Sequence, residues 1–387
     1  MRVKLIPFWK IKRELKRLGR QLSQDFPDWL LDHYEYYRYT YLTSHKVNVT
    51  VGQREKSDKI VLFLVFPKNG IQNSHITMLE YFIKEGFSPL VVSNLPLSPE
   101  DLIRLSPFVW KTLQRENFGY DFGGYREGLL HIKNLLPTLN ELVLTNDSIW
   151  FPVGNGSNWL ESARKTGAQF VGPITAPGNW DRVEVYDYRD VSWKWNVNTR
   201  NYHLCSFMLW FNNDVTKSRK FLRFWKRLRI TNRKRLTVRR GEMGLTRFMR
   251  SCGFSFASVI DLSEFNTVLA KLNALELKEI MEDVMAELHP KSLEVFAAHM
   301  SGFNDTVLWR DEAEKVLLAL ASKAHAAYFS PLLLLKHLDG NFLKKALVPR
   351  TKETADKVFQ LLDNYPQYFD DAMAQEIRTT FETTHTD

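Results

Sequence analysis

Short apolar runs alternate with segments of helical periodicity between residues 59 and 264. Residues 60–66 and 142–144 are continuous apolar runs, which are typical of strands buried on both faces. Residues 73–85, and the segment that follows Asp121, place apolar residues three and four positions apart and predict helices. Alternating strands and helices joined by short loops indicate an α/β fold with a doubly wound sheet and helices on both faces.

The rest of the sequence pattern predicts further strands of this sheet and the residues at which the sheet domain begins and ends. Further strands are predicted at 46–51, 89–93, 170–173, 203–211 and 254–260, and a basic helix at about 215–230. Ser98 precedes Pro99 and is the expected cap of a helix that begins there. From about residue 265 the pattern is helical. We therefore divide the chain into a lead-in at 1–58, a sheet domain at 59–264 and a helical region at 265–387.

The stretch 116–152 is predicted as loop, helix, strand and loop. Its first loop includes Asn117, Gly119 and Asp121; the glycines permit a close approach of the backbone to a ligand, and Asp121 is placed to cap the helix. The strand ends in Asn146-Asp147-Ser148. Polar oxygens at the carboxyl end of a buried strand lie where open α/β sheets bind ligands. The alternative is an ordinary loop and an ordinary turn.

The same reasoning singles out Phe66 and Asn94, which end the first two predicted strands. Neither a GxGxxG nor a GxxxxGK[ST] motif follows the first strand, so dinucleotide-binding and P-loop folds are not supported. Residues 176–201 form a loop rich in Trp and Tyr, including Trp180 and Trp193, and its flat rings suit a sugar or a packed flap. His203 follows this loop, where a structural histidine is the alternative to a ligand.

The composition is that of a globular protein, with 44% hydrophobic residues and only two cysteines in 387 residues. Cys205 and Cys252 both lie in apolar segments, which favours a reducing cytoplasm. We find no run of about 18 apolar residues that would span a membrane, and the start of the chain does not have the pattern of a signal peptide.

The positive charge is concentrated in two segments. Residues 1–20 hold eight Lys/Arg and one Glu, and residues 217–240 hold twelve Lys/Arg and no acid, so the remainder must carry 9 − 19 = −10. Two basic segments on an acidic body indicate two local anionic contacts and argue against a general nucleic-acid surface. Residues 1–22 have an amphipathic helical pattern that suits an anionic membrane surface; a helix docked on the body is the alternative.

Four motifs and their order resemble the rhamnan synthesis F family of bacterial polysaccharide and lipopolysaccharide biosynthesis, and more distantly GT-A glycosyltransferases. They are NFGYDFGGY, LTNDS, HLCSFMLWF and GEMGLT. A late stretch adds Asn304-Asp305-Thr306, Trp309 and the sequence FLKK at 342–345. The resemblance covers roughly residues 60–350. Tyr120 and Cys205 depart from the family pattern, where arginine and glutamine are expected.

The resemblance implies a GT-A-like mixed sheet and a nucleotide diphosphosugar donor such as dTDP-rhamnose. The residues expected to bind the donor are Phe66, Asn94, Asn117, Gly119, Asp121, Asn146, Asp147, Ser148 and Arg240. Asp147 stands in place of the family's metal-binding carboxylate, and its neighbours are hard oxygen ligands suited to Mg²⁺ or Mn²⁺. Metal-independent transfer, with Arg239 or Arg240 as the cation, is the alternative.

Glu242 occupies the place of the catalytic base of an inverting transferase, or is simply an acid favoured by a helix dipole. Trp180, Trp193 and His203 are the residues expected to bind the acceptor. We therefore expect an inverting glycosyltransferase, a rhamnosyltransferase, that extends a lipid-linked saccharide at the inner face of the bacterial membrane. A non-catalytic saccharide-binding protein on a degenerate transferase fold is the alternative.

Overall fold

One mixed sheet of eight strands organises the computed structural model, which describes residues 26–43, 46–156, 158–176, 182–199, 201–285, 289–304, 306–323 and 325–385. In spatial order the sheet runs β1, β4, β3, β2, β5, β8, β7 and β9. The strands are β1 (Asn48–Val51), β2 (Lys59–Val65), β3 (Ser88–Ser93), β4 (Lys111–Gln114), β5 (Glu141–Asn146), β7 (Phe170–Ile174), β8 (Met208–Asn212) and β9 (Phe256–Ile260).

Strand direction changes at β8. Strands β2, β3, β4 and β5 are mutually parallel, whereas β8 is antiparallel to both β5 and β7, and β9 is parallel to β7. Both faces of the sheet are buried, because Val61 and Phe63 enter one core while Leu62 and Leu64 enter the other. The predicted α/β fold, a mixed sheet with helices on both faces, is confirmed.

Helices cover the two faces and build the N- and C-terminal regions. They are α1 (Phe26–Arg38), α2 (Asn73–Lys84), α3 (Pro99–Leu105), α4 (Tyr120–His131), α5 (Trp159–Lys165), α6 (Asn213–Lys217), α7 (Arg219–Arg227), α8 (Lys234–Thr237), α9 (Met243–Ser251), α10 (Phe265–Leu269), α11 (Ala274–Glu282), α12 (Pro290–Ser301), α13 (Val307–Lys323), α14 (Ala326–Phe329), α15 (Pro331–His337), α16 (Lys352–Asn364) and α17 (Asp371–His385). A π-helical turn, Val238–Glu242, joins α8 to α9.

Helix α4 packs very closely on the sheet because glycines face it. A Cβ on Gly124 would lie 2.3 Å from Leu64 Cδ1, and a Cβ on Gly128 would lie 2.3 Å from Leu62 Cδ1. The helix begins directly after Gly119, whose φ of 83° is left-handed and favours glycine. This packing fixes the start of α4 at the carboxyl edge of the sheet.

Three local predictions need correction. The strand predicted at 203–211 begins only at Met208. The basic helix predicted at 215–230 is two helices, because Ser218 leaves helical geometry and its side chain accepts from the backbone N–H of Lys220, starting α7. Asp121 makes no capping hydrogen bond and is the second residue of α4, since the cap position belongs to Gly119. The predicted Ser98 cap is confirmed, since its hydroxyl accepts from Asp101 N–H at 3.0 Å.

The C-terminal region returns to the edge of the sheet domain. Strand β10 (Leu343–Lys344) pairs antiparallel with β6 (Ile149–Trp150), which follows Ser148 directly. The division at residues 58 and 264 remains a prediction. The basic segment at 1–22 lies outside the described residues, and none of the helices in the described ranges is long and apolar enough to cross a membrane.

Candidate active site

Asp147 lies just past the carboxyl end of β5, and its carboxylate is held by the neighbouring strand. Its Oδ2 accepts from the backbone N–H of Phe66 at 2.6 Å. His75 Nε2 lies 3.8 Å from the same oxygen. Burial holds the pKa of His75 well below its usual range, so this is a contact with a neutral ring. Burial also raises the pKa of Asp147, against the opposing charge of Lys345.

Asp121, in the first turn of α4, faces the same region. Burial raises the pKa of Asp121 to about 6, and the charges of Asp147 and Glu242 add to this effect. Three carboxylates therefore share one electrostatic environment. Such a cluster favours a bound cation or a shared proton.

Glu242 ends the π-helical turn, and its carboxylate is held by Ser206 through two hydrogen bonds. The backbone N–H and the hydroxyl of Ser206 both donate to Oε1 at 2.9 Å. The second oxygen, Oε2, lies 3.7 Å from His203 Nε2. The other ring nitrogen of His203 is 2.7 Å from the Asn201 carbonyl, which can only accept, so Nδ1 carries the hydrogen. The carboxylate is thus oriented and has polar neighbours on both oxygens.

The start of α4, which carries Asp121, and the π-helical turn, which carries Glu242, border one small cavity. It is lined by Tyr120, Asp121, Phe122, Ser206, Lys234, Thr237, Val238 and Glu242. The start of α4, the segment before β8 and the π-helical turn therefore meet at one place. The predicted donor residue Asp121 and the predicted base Glu242 are brought together. Ser206 and Lys234 also line the cavity, and no sequence motif had pointed to them.

Two lysines of the C-terminal region also reach the site. Lys344 Nζ lies 3.3 Å from Ser148 Oγ and 3.5 Å from the centre of the Phe207 ring. Burial lowers the pKa of Lys344 to about 8, although the charges of Glu242 and Asp121 oppose the shift. Lys345 is partly buried; it donates to Ser74 Oγ at 2.9 Å and pairs with Glu376 at 3.4 Å. The FLKK stretch, noted only as a motif, thus supplies one buried and one partly buried lysine near Asn146-Asp147-Ser148.

The remaining predicted donor residues divide into neighbours of the site and structural residues. The Phe66 backbone donates to Asp147, and the Ser148 hydroxyl accepts from Lys344. Asn146 Oδ1 accepts from Ser148 N–H at 3.1 Å. Asn94 Oδ1 instead accepts from the buried Arg115. These roles stay predictions.

Several other predicted residues are placed elsewhere. Arg240 pairs with Asp32 through Nη2 at 3.0 Å and lines a separate groove, so the structure does not bring it to the cavity. Gly119 N–H donates to Asn232, and Asn117 is exposed. Trp193 donates to the Leu262 carbonyl at 2.9 Å and packs against the core, which favours the packed-flap interpretation. Trp180 lies outside the described residues.

Cys205 and His325 form a second buried pair nearby, with Sγ 2.7 Å from Nε2. Burial raises the pKa of the Cys205 thiol well above its usual range and lowers the pKa of His325 to about 3. Both groups are therefore neutral at pH 7, and the pair is not an activated thiolate. Cys252 is also a free thiol.

A model of the family "Rhamnan synthesis protein F" matches residues 90–291, just over half of the chain. The match spans α4, the carboxylates at 121, 147 and 242, and most of the sheet. The chain belongs to the rhamnan synthesis protein F family. This is a family of glycosyltransferases, and the resemblance noted from the motifs is confirmed.

A relative in Sinorhizobium fredii (strain NBRC 101917 / NGR234), described as "Uncharacterized protein y4gN", is 26% identical over 281 residues, which cover 72% of this chain and 68% of that protein. Similarity to solved structures is distant. The mannosyltransferase PcManGT from Pyrobaculum calidifontis, in complex with GDP-Man and Mn²⁺, is 11% identical with a TM-score of 0.30, covering 92% of this chain and 94% of that one. Core-mannan synthase A from Aspergillus fumigatus is 8% identical with a TM-score of 0.28, covering 54% and 74%. TM-scores this low carry no argument about activity.

The fit of a divalent metal can be judged from the oxygens present. The Asp147 side chain is 21% exposed and is followed by the Ser148 hydroxyl, and both are hard ligands that suit Mg²⁺ or Mn²⁺. Within the described ranges, however, no group of three His, Cys, Asp or Glu side chains is placed to hold a metal ion. A metal here would fit only with most of its ligands supplied by a bound diphosphate.

Proposed function

We propose that this member of the family is an inverting glycosyltransferase that moves a sugar, with rhamnose as the first candidate, from a nucleotide diphosphosugar. The observation that carries the proposal is the orientation of Glu242 by Ser206 at the wall of the cavity that Asp121 also lines. A carboxylate fixed on one oxygen has the other available to accept a proton. That is the requirement for a general base in acyl or glycosyl transfer.

In the proposed reaction the acceptor hydroxyl attacks the anomeric carbon of the donor while the bond to the diphosphate breaks. Glu242 takes the proton of that hydroxyl, and His203, 3.7 Å away, lies beside the acceptor. Attack on the face opposite the leaving group inverts the configuration at the anomeric carbon. Asp121, which lines the same cavity, and Asn146, at the end of β5, are the residues proposed to contact the donor.

The departing diphosphate gains negative charge, which needs a cation close by. The cations proposed for this role, in place of Arg239 and Arg240, are Lys344, which contacts Ser148, and Lys345, whose charge acts on Asp147 although it also pairs with Glu376. We also propose that Asp147 holds a Mg²⁺ or Mn²⁺ ion together with the diphosphate, which would neutralise the leaving group. The buried carboxylates and lysines then orient the donor and exclude water.

The acceptor is proposed to be a growing lipid-linked saccharide, used at the inner face of the bacterial membrane. The support is the family, whose printed description is of rhamnan synthesis, and the basic amphipathic pattern of residues 1–22. Trp180, Trp193 and His203 remain the proposed acceptor residues. Of these, the structure supports His203 best because it contacts Glu242.

Thermal unfolding in the presence of candidate dTDP- and UDP-sugars tests the donor class. A ligand that binds only the native state at about 100 times its Kd adds roughly 2.7 kcal/mol to the free energy of unfolding. We expect one nucleotide sugar to raise the melting temperature, and the rise to disappear in Lys344→Met but not in the surface variant Lys271→Met. Equal melting temperatures with every nucleotide sugar would contradict the proposal.

A non-catalytic saccharide-binding protein is the second candidate. It is favoured by a single observation, that the described residues form no metal-binding cluster around Asp147. Transfer of labelled sugar separates the two. Binding of a nucleotide sugar with no transfer to any saccharide acceptor would support this second candidate.

A further inference from the structure

An arginine groove, distinct from the carboxylate cavity, lies between α7, the π-helical turn and α9. It has a volume of about 440 Å³. Six arginines line it: Arg223, Arg227, Arg229, Arg239, Arg240 and Arg247. No acidic side chain is among the described residues of its lining. Five of these arginines belong to the second basic segment, residues 217–240, and the proposed transfer reaction gives them no role.

Part of the charge in the groove is neutralised and part is not. Arg229 and Arg240 both pair with the buried Asp32 of α1, at 3.3 and 3.0 Å. Arg223 and Arg227, one helical turn apart on α7, are exposed, and within the described chain their side chains form no ion pair or hydrogen bond. Guanidinium groups crowded in this way repel one another, and a bound anion relieves that repulsion. Their planar forks match the oxygens of a phosphate.

The floor of the groove is apolar. The rings of Phe224 and Phe248 lie 5.2 Å apart, and Leu228 is buried beside them. A groove with an apolar floor and cationic walls suits an amphiphile better than a free inorganic anion. Its charged part contacts the guanidinium groups while carbon contacts the floor.

Helix α1 borders the groove and presents a tyrosine face to solvent. We define this face as Leu30, Tyr34, Tyr37, Tyr41 and Leu42, which are between 48% and 67% exposed. The first four recur at spacings of four, three and four, so they share one side of α1 and of the short π-helix Tyr39–Thr43 that follows it. On the other side of α1, Asp32 and Tyr36 contact the arginines, with the Arg229 guanidinium 5.7 Å from the Tyr36 ring.

We propose that the arginine groove and the tyrosine face form one surface that binds an anionic phospholipid bilayer. Lipid phosphates occupy the groove, and the tyrosine rings lie at headgroup level, where an apolar ring with a polar tip is favoured. Charge complementarity and the adjoining exposed apolar side chains together point to this occupant. The surface is additional to residues 1–22, and it does not depend on the transfer reaction.

The test is sedimentation of the full chain with vesicles of phosphatidylglycerol and phosphatidylcholine, compared with phosphatidylcholine alone. Arg223→Ala/Arg227→Ala should weaken binding to the anionic vesicles by about tenfold or more at low salt, because each cation near an anionic surface adds attraction. Both arginines are exposed and unpaired in the described structure, so folding should be unaffected. Lys271→Ala/Lys315→Ala removes the same charge from exposed positions outside the groove and should bind like the wild type.

A second pair of variants tests the tyrosine face. Tyr34→Ser/Leu42→Ser should weaken binding at low and high salt alike, because apolar insertion is not screened by salt. Ile103→Ser/Leu308→Ser removes equally exposed apolar side chains elsewhere and should have no effect. The proposal would be overturned if the groove variant and the face variant both bound vesicles as well as the wild type does. It would also be overturned if the control variants lost as much vesicle binding as the groove and face variants. Stabilisation by inorganic phosphate or an oligonucleotide without any vesicle binding would overturn it as well.

Discussion

At the scale of single residues, the site places a buried carboxyl group, Asp121, within electrostatic reach of a buried amine, Lys344. Burial raises the pKa of Asp121 to about 6 and lowers the pKa of Lys344 to about 8. Each shift is moderated by the other group, because a buried charge is less costly beside its opposite. A diphosphate entering this site meets two lysines and at least one carboxylate. The affinity for the donor therefore depends on which of these groups are charged.

The lowered pKa of Lys344 predicts that donor affinity and the free energy of unfolding change in opposite directions as the pH rises. Donor affinity should fall as the pH rises through about 8, where Lys344 loses its proton. The free energy of unfolding should instead rise between about 8 and the ordinary lysine value of 10.5, since the unfolded chain binds more protons there. Calorimetry and chemical unfolding across this range measure the two trends. In Lys344→Met both trends should vanish; if donor binding keeps its decline, another group is responsible.

Asp147 allows a test of the metal. Asp147→Asn keeps the shape and a hydrogen-bond acceptor for the Phe66 N–H, so the fold should be retained. If Asp147 and the diphosphate share a divalent ion, this variant should lose most of the turnover, and excess chelator should do the same to the wild type. Full turnover in excess chelator would remove the metal and leave the lysines as the stabilising cations.

At the scale of elements, the sequence pattern predicts the helices, strands and caps that depend on residues close together in the chain. The apolar runs of β2 and β5, the cap of α3 and the polar end of β5 follow from neighbouring residues. The arrival of Lys344 at Ser148 does not, because it depends on β10 pairing with β6 across almost two hundred residues. Arg240 and Glu242 are close in sequence, yet the π-helical turn directs their side chains to different cavities.

The contact between α4 and the sheet can be tested with one methyl group. In Gly128→Ala the new Cβ would lie 2.3 Å from Leu62 Cδ1, and such overpacking destabilises by about 1–3 kcal/mol. Gly244→Ala is the matched control within helix α9, where the new Cβ lies 3.4 Å from its nearest neighbour. There alanine should be neutral or stabilise by about 0.5–1 kcal/mol. Equal urea midpoints for the two variants would show that α4 does not depend on this close approach.

At the scale of the whole molecule, the excess positive charge is concentrated in two segments of the chain. The two basic segments together carry +19, and the rest of the chain carries −10. The second segment supplies five of the six arginines of the arginine groove, and Glu242 lines the carboxylate cavity instead. A membrane contact there would leave the carboxylate cavity to the donor and the acceptor.

The first basic segment predicts a separate, salt-sensitive contribution to membrane binding. Replacing Lys10, Lys12, Arg13 and Lys16 by Gln keeps the apolar pattern of residues 1–22 but removes four charges. We expect weaker binding to anionic vesicles at low salt and a smaller difference at high salt, because screening removes the attraction. Unchanged binding at low salt would assign the membrane contact to other parts of the chain.

Glu242 is proposed as the base of the glycosyl transfer, and replacing it by its neutral isostere glutamine removes only the ability to take up a proton. A general base acts in the transition state, so Glu242→Gln should keep the donor affinity and lose turnover by about a hundred- to ten-thousand-fold. Glu161→Gln, on the exposed side of α5, is the control. Calorimetry of donor binding is measured alongside sugar transfer to a lipid-linked acceptor. Turnover within a few-fold of the wild type would rule out Glu242 as the base. Loss of donor binding would make Glu242 a donor-site residue instead.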